Sequence, residues 1–104
     1  MPDRVIVEVD EDLCDLIPGF MTHKRADIAA IFDAVERRDY AAIGSIAHRI
    51  KGEGGSYGFD AITETGRSLE HAAATRDDGA VTTLARQLLS YLDHLEIVFQ
   101  PSKE

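Results

Sequence analysis

His48 and Lys51 stand at the head of a glycine-rich run, AHRIKGEGGSYGF at 47–59, which holds Gly52, Gly54, Gly55 and Gly58. A neutral imidazole nitrogen is a nucleophile that can accept a transferred group and carry it covalently. An ammonium one helical turn away can neutralise phosphoryl oxygens as a mobile point charge, and a positive neighbour keeps a ring lone pair available. A glycine inside a helix costs roughly 1 kcal/mol relative to alanine. Several of them beside these two side chains mark a surface that something else must approach. Winding the segment at ~100° per residue from His48 puts Ile43, Ile46, Ile50 and Tyr57 between ~160° and ~220°, opposite the imidazole. Ala41, Gly44, Ser45, Lys51, Gly52 and Gly55 fall within ~60° of it. Apart from Lys51, nothing on that side is larger than serine, so the imidazole stands on a helix face almost free of side chains. These residues read as a phosphoryl-accepting site on the outside of a helix.

Four segments of helical period are available to hold that face. The first runs from about 18 to 38: Pro18 suits a first helical turn, and Phe20, Met21, Ile28, Ile31, Phe32 and Val35 form a stripe that Lys24 interrupts. Arg37 and Arg38 complement its C-terminus. The second, 40–57, carries the histidine. The third starts after Asp60 as N-cap and repeats Ile62, Thr65/Gly66, Leu69 and Ala72/Ala73 up to Arg76. Asp77 and Asp78 offer the next N-cap. The fourth runs to about 99 on Val81, Leu84, Leu88, Tyr91/Leu92, Leu95 and Val98/Phe99, and Pro101 ends it.

Connections this short make neighbouring helices antiparallel, so the expected fold is all-α, an up-down antiparallel four-helix bundle. A single domain over 1–104 is expected, with the bundle at about 15–99 and an N-terminal arm at 1–14. Within the arm, Val5–Val9 reads locally as a strand without a partner, and a short helix is expected near 11–17.

Composition removes several classes of function. The chain of 104 residues is 44% hydrophobic and 29% charged, with a net charge of −8, which argues against nucleic acid as a partner. No apolar run approaches the ~20 residues that span a bilayer, and the first residues lack a signal-peptide pattern. No membrane association and a cytoplasmic location are therefore expected. Cys14 is the single cysteine, flanked by Asp12 and Asp15; an inert, partly buried thiol is expected, with no disulfide and no cysteine-based zinc site. His23, His71 and His94 read as helix-surface residues.

The spacing His48-Arg49-Ile50-Lys51-Gly52, followed by Ser56-Tyr57-Gly58-Phe59 and by Leu69-Glu70 on the next helix, resembles the histidine-containing phosphotransfer (HPt) domain family. The close match covers 47–70, and the helix layout agrees from about 15 to 98. The resemblance implies that His48 takes the phosphoryl group on Nε2, that Lys51 stabilises it, and that Gly52 and Gly55, with Gly44 and Ser45, leave room for a docking partner. It implies that Glu70 orients the imidazole through its other nitrogen. It also implies partners: response-regulator receiver domains, whose aspartate and Mg²⁺ serve the transfer, and hybrid sensor histidine kinases. The protein itself is then expected to be a monomer without metal or cofactor. Leu13, Leu16 and Ile17 are candidates for an extension of the docking surface. The family pattern has a small residue after Gly52 where this chain has Glu53, which either pairs with Arg49 at i, i+4 or leans towards the site, where its charge would oppose phosphate.

Two enzyme readings fail on pattern. The glycine cluster follows an apolar helix rather than a strand, so it is neither a P-loop nor a dinucleotide fingerprint. Glu70 and His71 are adjacent and point ~100° apart, which does not suit a bundle metal site. Without a nucleotide-binding domain the chain is not expected to phosphorylate itself: a phosphohistidine carrier rather than an autokinase. The alternative is a docking or adaptor module of the same fold that carries no phosphate.

Overall fold

The computed structural model describes residues 4–101; the outermost positions of the expected span, 1–3 and 102–104, lie outside the described residues. The chain runs β1 (Val5–Asp10), a short 3-10 helix (Glu11–Leu16), α1 (Ile17–Glu36), α2 (Tyr40–Tyr57), α3 (Asp60–Ala74), α4 (Asp78–Asp93) and β2 (Leu95–Gln100). Each long helix packs on its neighbour in sequence, and α1 closes the ring against α4. The result is the expected four-helix bundle. Its core is aliphatic: Ile28, Ile31, Ile43, Ile50, Ile62, Leu69, Val81 and Leu88 are all buried, each worth about 1.5–3 kcal/mol in area removed from water.

Local chemistry sets the helix ends. Asp39 and Asp77 cap α2 and α4 by accepting from the amides of Ala42 and Ala80, each at 3.0 Å. Asp60 is not a cap. It is the first residue of α3, where its charge suits the positive helix end, and Phe59 occupies the cap position with its ring in the core. The left-handed turn after α2 is made by Gly58 at φ 82°, a conformation that glycine adopts without steric cost.

The two chain ends depart from the expected layout. The segment 5–9 does have a partner: β1 pairs in parallel with β2, Val5 opposite Leu95 through Asp10 opposite Gln100. Correspondingly, α4 stops at Asp93 rather than near 99. The apolar residues 95, 98 and 99 fit a helical stripe, but 95, 97 and 99 fit an alternating strand equally well. The free hydrogen-bonding edge of β1 decides between them. Val7, Val9, Leu95 and Ile97 turn towards the bundle, and Val9 is fully within the core. The sheet covers the bundle end beside Gly58, Asp60 and Tyr91.

Lys24 does more than interrupt a stripe: it is 1% exposed. Its ammonium pairs with Asp27 at 2.7 Å and with Glu53 on α2, while Asp27 also takes Arg49 at 2.6 Å. An Arg49–Glu53 pair is thus replaced by a network that ties α1 to α2. A buried ammonium must be paired, and both carboxylates are drawn to it. Cys14 is exposed rather than partly buried, and local desolvation and the Asp15 carboxylate raise its pKa, which favours the inert thiol.

Candidate phosphoryl-transfer site

The side of α2 opposite Ile43 and Ile50 carries His48, whose imidazole is 70% exposed. Glu70 reaches it from α3: Oε2 lies 3.0 Å from His48 Nδ1, and Oε1 accepts from Lys51 Nζ at 2.8 Å. One carboxylate therefore holds both candidate residues, each through its own oxygen. The Lys51 ammonium first, and the His48 ring second, hold the Glu70 carboxyl below its usual range. An ionised carboxylate only accepts, so Nδ1 carries the hydrogen. In the neutral ring the lone pair is then on Nε2.

The reach of Glu70 depends on how closely α3 lies on α2. A Cβ at Gly66, one turn before Glu70, would stand 2.6 Å from the Lys51 amide nitrogen and 2.8 Å from its Cα. No side chain fits there. Gly54 serves the same packing on the other side, where a Cβ would meet the Thr63 amide at 2.9 Å. Sequence reasoning placed Gly66 on the apolar stripe without assigning it a task; the available signal was a lone glycine in mid-helix, which usually has a packing reason.

The glycines of the opening run therefore divide. Gly54 and Gly58 are required by packing and backbone. A Cβ at Gly52 would have nothing within 4 Å, and one at Gly55 would make only ordinary contact with Thr63 Oγ1 at 3.7 Å. Both are exposed on the His48 side, and nothing inside the protein demands glycine at either. Gly44 and Ser45 continue this surface towards the start of α2, where they line an open groove with Ala73, Ala74, Tyr40 and Arg76.

The three apolar docking candidates have different fates. Ile17 is buried, so it belongs to the core and offers nothing to a partner. Leu13 is half-buried and packs against the core. Leu16 is 53% exposed, at the far end of α2 beside Glu53 and Tyr57. Among the described residues no cluster of His, Cys, Asp and Glu is arranged to hold a metal ion, and no helix is long and apolar enough to cross a membrane.

Comparison with known proteins agrees with the geometry. Neither a curated protein nor a solved structure matches the chain. The family model for the Hpt domain matches residues 9–97, nearly the whole chain. With its helical bundle and its histidine exposed on the second long helix, the chain belongs to the Hpt domain family, the phosphohistidine carriers that work with receiver domains in phosphorelays.

Proposed function

We propose that His48 is the phosphoryl carrier, accepting from the aspartyl phosphate of one receiver domain and delivering to the aspartate of another. The observation that carries this reading is the double grip of Glu70 on His48 Nδ1 and Lys51 Nζ. In the forward step the Nε2 lone pair forms the N–P bond while the P–O bond to the donor aspartate breaks and its electron pair returns to that carboxylate. The ring becomes cationic with its hydrogen still on Nδ1, facing the Glu70 carboxylate, which stabilises the charge. Lys51, already beside the ring, can turn a donor hydrogen towards the phosphoryl oxygens without leaving Glu70, because an ammonium has three. Gly52 and Gly55 keep the approach clear. Upstream, a hybrid sensor histidine kinase supplies the phosphoryl group, and the chain works as a monomer.

Phosphoramidate labelling followed by addition of receiver domains tests the reading. Wild type should gain one acid-labile phosphoryl group and lose it to a receiver. His48→Gln should gain none, because an amide nitrogen is not nucleophilic, while its stability changes by less than ~0.5 kcal/mol at an exposed position. Glu70→Gln should label on the order of tenfold more slowly, since a charge-assisted bond to the ring becomes a neutral one. Labelling of His48→Gln at the wild-type rate would put the phosphoryl group on another residue and overturn His48 as the carrier, and a wild type that gains no label would leave a docking bundle as the better reading.

A further inference from the structure

Two arginines of this acidic chain are held in the left-handed backbone region, Arg38 at φ 53° and Arg76 at φ 55°. They occupy equivalent places in the α1–α2 and α3–α4 turns. In each turn the arginine amide bonds back to the helix (Arg38 to the Val35 carbonyl, Arg76 to the Ala73 carbonyl) and the next residue is the aspartate that caps the following helix. Glycine, or sometimes asparagine, is the usual occupant of such a position. An arginine kept there twice, at a conformational cost, points to a task for its side chain.

The side chains converge. Both border the recess at Tyr40 and Ala41, and the Arg76 guanidinium lies 5.6 Å from the Tyr40 ring centroid. The Tyr40 hydroxyl is fixed by donation to Asp78 at 2.6 Å. Nineteen acidic residues oppose eleven basic ones, and most basic side chains have taken a carboxylate. Among the described residues neither Arg38 nor Arg76 has an ion pair. The nearby aspartates are engaged: Asp39 with the Ala42 amide and Arg37, Asp77 with the Ala80 amide. From this recess the groove floored by Gly44 and Ala73 leads to His48, about two helical turns along α2, or roughly 12 Å.

We propose that Arg38 and Arg76 form a cationic anchor for carboxylates on the receiver domain that docks over His48. The inference rests on the phosphotransfer reading and names a second contact region of that partner. A surface of net charge −8 repels a partner whose reacting face carries carboxylates. At this end of the groove two guanidiniums without ion pairs among the described residues offset the neighbouring carboxylates of Asp39, Asp77 and Asp78, beside a floor of small residues continuous with the face that must be covered during transfer. The anchor steers and orients the receiver, and it acts on encounter rather than on the chemical step.

The test uses the receiver domain, from a panel encoded in the same genome, that drains phosphate fastest from phosphoramidate-labelled wild type. Arg38→Gly and Arg76→Gly remove the guanidinium while relieving the backbone, so melting temperatures should not fall. The double variant should need about tenfold more receiver for half-maximal transfer at low salt, with the rate at saturation within about twofold of wild type. Added salt should shrink the difference. Arg86→Gln, which removes an exposed arginine elsewhere on α4, should leave half-saturation unchanged. An equal effect of Arg86→Gln would reduce the anchor to net charge, and wild-type half-saturation in the double variant would overturn it. A wild-type protein that takes no label would instead overturn the phosphotransfer reading, and the anchor with it.

Discussion

In the proposed transfer site the two oxygens of Glu70 separate two tasks. The bond to Nδ1 fixes the tautomer, and the bond to Lys51 keeps a positive charge beside the ring. A carboxyl whose folded pKa is depressed stabilises the fold above its unfolded value, ~4.3, and that contribution is lost as pH falls through the lower folded value. Wild type should therefore be more stable than Glu70→Gln at neutral pH, and the gap should close below about pH 4. Denaturant midpoints of both proteins from neutral to acid pH measure it. A gap that stays constant with pH would mean that the carboxylate gains nothing from its partners.

At the scale of the element, the decisive contact is the close crossing of α2 and α3. Gly66→Ala should cost roughly 1–3 kcal/mol through overpacking against the Lys51 backbone. It should also draw Glu70 off the ring, seen as a shift of the His48 Nδ1–H resonance. Gly54→Ala crowds the same crossing at Thr63 and should cost stability without moving that resonance. Equal resonance shifts in the two variants would assign Gly66 to packing alone. Gly55→Gln should behave in the opposite way, adding roughly 0.5–1 kcal/mol from helix propensity. Transfer from a receiver should slow, while phosphoramidate still labels His48. Receiver transfer at the wild-type rate would show that Gly55 clears no docking surface.

At the scale of the whole fold, β1 and β2 close the Gly58 end of the bundle. Residues 5 and 95 open a parallel pair that spans the entire helical sequence, and Val9 seals it at 2% exposure. Val9→Ala should lower stability by roughly 1–3 kcal/mol in a denaturant titration, with labelling of His48 unchanged because the sheet lies at the Gly58 end of the bundle. An unchanged midpoint would make the strands an accessory. Ile6 and Val98 on the strands are exposed, and so is Phe99 towards the end of β2, so the sheet packs on the bundle through Val7, Val9, Leu95 and Ile97.

The sequence alone determined the bundle, the helix that carries the histidine and the side of that helix that faces out. Helical periodicity is local: ~100° per residue fixes which of Ile50 and His48 is inward before any neighbour is known. The small residues beside His48 were legible for the same reason, whereas Glu70 was legible only through the resemblance to the Hpt pattern. Tertiary structure decided what depends on residues distant in sequence. A period-two and a period-three-and-a-half reading of 95–99 are locally degenerate, and only the edge of β1, some ninety positions earlier, chooses between them. Lys24 looked like a polar break until two carboxylates, one from another helix, enclosed it. Glu53 could meet Arg49 along its own helix, but the buried ammonium offers a stronger field than an exposed guanidinium. The grip of Glu70 on both site residues exists because two backbones approach where Gly66 has no side chain, a distance that folding sets and periodicity does not.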